Sequence, residues 1–132
     1  MSFGRYLQRK LLDHALKTAA YTPPTNIKVA LYTVAPGETG GGTEVSGVNY
    51  ARVIHNVWAA ASDASPAIAS NTGIVQFATP GTGGWGHIVA FALWDDEGTP
   101  NLLGYANLTI EKDINQGDDV EFAEGDLQVT LD

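Results

Sequence analysis

From Ile27 onward, apolar residues recur at every second position in short segments, and clusters of Gly, Pro, Asn and Asp break the segments apart. A period of two belongs to strands with one buried face, and turn-forming residues at such short intervals leave no length for helices between them. The segments are "IKVALYT" (27–33), "YARVIHNVWAA" (50–60), "GIVQFAT" (73–79), "HIVAFALWD" (87–95), "NLLGYANLTI" (101–110), "VEFA" (120–123) and "DLQVTLD" (126–132). In the first, Ile27, Val29 and Leu31 share a face. In the second, Ala51, Val53, His55 and Val57 oppose Arg52, Ile54, Asn56 and Trp58. "HIVAFALW" is apolar on both faces, which places it at the centre of a sheet, covered on both sides. The set predicts a mainly β protein, an antiparallel β-sandwich or jelly-roll-like domain.

The first residues have a different period. Phe3, Leu7, Leu11 and Ala15 recur four apart, and Leu12, Leu16 and Ala19 widen the stripe, so the spacing predicts one amphipathic α-helix over 3–20 with Ser2 as its N-cap. "TPP" at 22–24 ends it, because proline lacks the N–H and disfavours helical geometry in the residue before it. The expected organisation is a single domain over 1–132, with the N-terminal helix in 1–21 and the β-sandwich in 26–132.

A chain of 132 residues with 44% apolar content can bury its own core. It has no cysteine, so disulfides and thiolate metal sites are excluded. The net charge is −8, and five of the seven basic residues fall in the first 28 positions, leaving a strongly acidic body. Such a surface repels phosphate backbones, so no nucleic acid is expected as a partner. No apolar run approaches the ~20 residues of a membrane span. The charged N-terminal stretch also lacks the apolar core of a signal peptide, so the protein is read as made and used without export or membrane contact.

Several stretches invite a chemical reading. Gly81-Thr82-Gly83-Gly84-Trp85-Gly86 has the letters of a dinucleotide-binding loop. That loop needs a helix after the glycines, whose N-terminus receives the pyrophosphate, and here a β-branched and aromatic run follows. The glycines are expected to form a tight connection instead. "DINQGDDVEFAE" sets Asp113, Asn115, Asp119, Glu121 and Glu124 at spacings that partly resemble a calcium loop, but Gly117 and Asp118 are in the wrong order and flanking helices are missing. A solvated turn is the expectation, as is a hairpin turn for "DDEG" at 95–98. His14, His55 and His87 lie on separate elements with no metal-ligand spacing. There is no G-x-S-x-G elbow and no cysteine nucleophile, so neither catalysis nor a cofactor is expected. Trp85, in a glycine loop, either anchors a partner or a sugar or folds back over the end of the sandwich. The N-terminal helix, through Phe3, Tyr6, Leu7, Leu11 and Leu12, either docks on other subunits or covers the sheet of its own chain.

The serial order of "LLDHALKTAAYTPPTNIKVALYT", "NYARV", "ASNTGIVQFATP", "GGWGHIVAFALWD", "NLLGYANL" and "FAEGDLQVTLD" resembles a family of small tailed-bacteriophage virion proteins. Members are labelled tail fibre proteins, and similar domains serve as capsid cement, or decoration, proteins. The resemblance spans nearly the whole chain. It implies a β-sandwich that assembles as a homotrimer, with no catalytic residues. Its implied partners are itself and the major capsid protein or other virion proteins. A fibre shaft would need long heptads or repeated β-motifs, which are missing here. Capsid cement on the outer head is therefore the first expectation, with a tail appendage second and a carbohydrate-binding module using Trp85 third.

Overall fold

The computed structural model describes residues 1–131. In chain order the elements are β1 (Ser2–Phe3), α1 (Arg5–Ala15), β2 (Ile27–Val34), β3 (Thr43–Glu44), β4 (Val53–Ile54), β5 (Ala67–Ser70), β6 (Val75–Gln76), β7 (Gly86–Asp95), β8 (Leu102–Ile114), β9 (Glu121–Phe122) and β10 (Gln128–Leu131). All pairings are antiparallel. The class is the expected one, mainly β with one N-terminal helix. Its layers are unequal. A six-stranded sheet runs β1-β8-β7-β2-β3, with β4 also on the outer edge of β2, and two two-stranded ribbons, β5–β10 and β6–β9, form the opposing layer.

The main core lies between these layers. Val29 and Leu31 of β2, Ile88, Phe91 and Leu93 of β7 and Leu103 of β8 meet Val75, Phe77 and Leu127, with Phe122 and Val129 packed against them. "HIVAFALWD" is the central strand, hydrogen-bonded to β2 on one side and β8 on the other. Its far face carries a second, smaller core of Ala30, Tyr32, Ala90, Ala92 and Leu102. The alanines have a local cause. After β2 the chain turns at Ala35, which packs on this second core, and the Glu38 carbonyl accepts a hydrogen bond from Arg5 N–H at 2.8 Å, beside the junction where Gly4 N–H donates to Leu103 of β8. Because β7 lies between β2 and β8, the segment crosses over β7. Strands stand ~4.8 Å apart, and small side chains under the crossing let the loop approach.

Two boundaries differ from the sequence reading. The helix is Arg5–Ala15 rather than 3–20, because Ser2 and Phe3 pair with Tyr105 and Gly104 as an edge strand. The N-cap is consequently Gly4, with no side-chain cap, rather than Ser2. A carbon at Gly4 Cβ would fall 2.3 Å from the Leu102 carbonyl oxygen, so this strand-to-helix corner admits glycine alone. At the other end Thr18 N–H donates to the Asp13 carbonyl and Lys17 adopts φ 63°, a left-handed stop that precedes "TPP". The strand over 50–60 shrinks to Val53–Ile54; Val57 points outward and Trp58 inward, opposite to strict alternation.

Candidate functional site

Every chemically suggestive stretch is engaged in holding the fold. In the glycine loop, Gly83, Gly84 and Gly86 have φ of 87°, 65° and 83°, backbone that side-chain-bearing residues rarely adopt. Gly84 N–H donates to Gly81, and Trp85 N–H donates to Ile114 of β8. A Cβ on Gly84 would lie 2.5 Å from the Ile114 carbonyl oxygen. The loop thus closes on backbone carbonyls, with β7 following it and no helix to receive a phosphate.

Trp85 is 4% exposed. Its indole N–H donates to the Val48 carbonyl at 2.9 Å, and its ring meets Tyr50 edge-on at 5.3 Å and Phe77 at 6.3 Å. The expectation of Trp85 as an exposed anchor for a partner or sugar is therefore corrected: the tryptophan folds back and seals one end of the core. Gly47 makes room for it, since a Cβ there would stand 2.5 Å from the indole ring.

The acidic run 113–124 resolves into two copies of one turn. Asn115-Gln116-Gly117-Asp118 and Ala123-Glu124-Gly125-Asp126 each place glycine at positive φ in the third position. In each, the fourth residue's N–H donates to the first residue's carbonyl and its carboxylate accepts the first residue's N–H, at 2.7 Å for Asp118 and 3.0 Å for Asp126. Asp119 accepts from the Gln76 amide and Glu124 from Gly73 N–H. These carboxylates brace turns, and among the described residues no group of three His, Cys, Asp or Glu side chains converges to hold a metal. Asp95, buried, closes the β7–β8 hairpin by accepting from Asn101 N–H and from the Asn101 amide.

The histidines are separated as expected. His14 Nδ1 accepts from Tyr21 N–H, and His55 Nε2 contacts the Val57 carbonyl at 2.9 Å. His87, exposed at the start of β7, is held between two β8 carboxylates: Nε2 to Glu111 at 2.8 Å and Nδ1 to Asp113 at 2.7 Å. Its hydrogen bonds to the Glu111 carboxylate, then to that of Asp113, raise its pKa above 6.5 by favouring the imidazolium.

Sequence reasoning missed two polar anchors. Buried Asn71 donates through its amide to the Gly73 and Ala123 carbonyls and accepts from Leu127 N–H, tying β5 and β6 to the C-terminal strands. Glu44 on β3 receives both Arg52 Nε (2.9 Å) and Arg52 Nη2 (2.8 Å), and the Tyr50 hydroxyl donates to it too. Arg52 stacks 4.2 Å from the Trp94 ring centre. Glu44 raises the Arg52 pKa, and burial pushes the Tyr50 hydroxyl up. Neither anchor carries a motif, because their partners are distant in sequence.

Of the large apolar side chains left exposed, Leu12 and Leu16 belong to the helix and its C-terminal end. Its sequence-predicted contact residues divide. Phe3 is half-buried in β1, Tyr6 and Leu7 pack on the main core, and Leu11 is half-buried. Leu12 is 62% exposed and Leu16, just past the helix, is 71% exposed. The helix thus covers its own sheet with one edge and presents an apolar pair on the other. Among the described residues α1 has none that is fully buried.

Turns braced by carboxylates, a sealed tryptophan and a partly exposed amphipathic helix characterise this mainly β protein. Residues 2–130 match the family model for podophage GP4 fiber I protein gp80, and the chain belongs to that family, a phage fibre and virion protein family. No curated protein matches it.

Proposed function

We propose that the protein is a non-catalytic tail-fibre component of a podophage virion that self-associates as a homotrimer and binds other virion proteins through its N-terminal helix. The family match over 2–130 carries this reading. It moves the tail position ahead of the capsid-cement position favoured by the sequence alone. The geometry supports a contact role, because carboxylates and histidines of the kind that do chemistry brace turns and strand pairs here. Assembly on a repeating lattice multiplies weak contacts into high affinity, so a small outward patch suffices.

Capsid cement is the second reading, favoured by the short β-body without a heptad shaft. Immunogold labelling of intact particles separates the two. Label at the tail supports the fibre role and label across the head supports cement. Particles that carry no label, from a stock whose lysate contains the protein, would remove it from the virion and overturn both.

A further inference from the structure

We infer that the N-terminal helix of one copy seats in an apolar cavity between β8 and β9 of a second copy, with Leu12 and Leu16 entering it and Arg9 and Lys17 facing its acidic rim. This deepens the self-association proposed above and rests on it.

The helix is underdetermined by its own chain. It has eleven residues, no side-chain N-cap and no acidic residue in its first turn. Isolated helices of that length are marginal in water, and a cation such as Arg5 at the N-terminus opposes the helix dipole. Tertiary packing reaches one edge of it, at Tyr6 and Leu7. Its cations make no ion pair within the chain: among the described residues the ion pairs use Lys28, Arg52 and His87, and of the helix cations Lys10 lies 5.7 Å from the centre of the Tyr6 ring.

The complementary surface lies on the opposite flank. Between Lys112 and Asn107 the register of β8 against β7 breaks, and residues 108–111 have no paired residue on β7. The facing strand β9 is two residues long and covers little. The gap is a cavity of about 380 Å³ lined by Ile88, Phe91, Leu108, Ile110, Phe122 and Leu127. Glu121 and Asp126 stand at its rim, with Lys112 the one cation in the lining. Ile110 is 71% exposed beside it. No residue of the chain's own helix lines the cavity, and the helix is tethered at Leu103, toward the other end of β8.

A basic apolar helix and an acidic apolar cavity on one molecule are complementary but not self-complementary. Such a contact runs head to tail, and it closes into a ring when the rotation between copies permits. A homotrimer with threefold symmetry needs a contact of this kind.

The test is sedimentation equilibrium of the full chain at low and moderate salt, with circular dichroism to confirm folding. Wild type is expected to assemble and to weaken with salt. Leu12→Glu with Leu16→Glu, and separately Ile110→Glu, are each expected to raise the dissociation constant at least about tenfold, equivalent to 1.4 kcal/mol. Lys17→Glu and Glu121→Lys should each weaken assembly, and the two together should restore it. Folded variants that assemble like wild type would overturn this interface and leave self-association standing. A wild type that remains monomeric would overturn the self-association itself, as would a monomer that binds another virion protein through Leu12.

Discussion

The glycine loop at 81–86 and the helix at 5–15 are stabilised in opposite ways. In the loop, backbone and indole N–H groups meet carbonyls, and at Gly84 a single added carbon collides with backbone. In the helix Leu12 faces solvent, as does Leu16 just past its end, and the first turn has no side-chain cap. The loop carries a motif associated with chemistry and proves to be architecture. The helix carries no motif, and one side of it keeps apolar surface exposed at Leu12 and Leu16. A segment whose hydrogen bonds and volume are internally complete has nothing left to offer a partner, whereas incomplete packing is itself the signature of a contact surface.

The contrast can be broken at its strong end first. Trp85→Ala is expected to destabilise the fold by about 3–5 kcal/mol, the range for removing a buried aromatic, read as a loss in urea midpoint with an unchanged slope. A wild-type midpoint would mean that the tryptophan is not sealed. Asn71→Ala comes next. It strands the buried Leu127 N–H and removes the amide's bonds to the part-buried Gly73 and Ala123 carbonyls, and an unsatisfied buried group costs about 1–3 kcal/mol. Thermal unfolding of the two variants, compared with Gln76→Ala at an exposed position of β6, checks the ranking.

At the helix the expected effects are smaller and change sign. Lys17→Gly relieves the left-handed residue at φ 63° and should stabilise the protein by about 0.5–1 kcal/mol, measured under conditions where the protein is monomeric. Leu12→Ser should change monomer stability by no more than about 0.5 kcal/mol, as for a surface substitution. A loss comparable to that of Trp85→Ala would show that the helix completes its own core.

The smallest effect is pH-dependent. The folded pKa of His87 is raised, so its clamp on Glu111 and Asp113 contributes fully below the unfolded value of 6.5 and is lost as pH rises through the raised folded value. The melting temperature of wild type relative to His87→Gln should therefore decline above pH 6.5. A constant difference from pH 6 to pH 9 would show that the imidazolium makes no use of the two carboxylates.

Legibility followed the range of the forces. Periodicity located β2 and β7 nearly to the residue, because long strands alternate under the pressure of a buried face; it found the start of β8 but stopped at Ile110, short of the strand's end at Ile114. It overlooked Ala67–Ser70, whose small side chains carry almost no hydrophobic signal; that strand exists because Gln128–Leu131 pairs with it. It overran Val53–Ile54, since a two-residue edge pairing is set by where β2 has room. Leu16 was visible in the helical stripe, but its exposure was not. Trp85 could be placed only once Val48 and Gly47 were known to stand beside it.

The sequence by itself determined the strand class, the lone helix, the acidic body with its basic N-terminal segment and the absence of cysteine chemistry, because each depends on residue type and local spacing. Only the tertiary structure decided that the layers are unequal, that the carboxylate run braces turns and that the helix is half-committed to its own core. Those outcomes depend on which surfaces meet across many residues of chain, and no local pattern encodes a distance between segments that meet only in the fold.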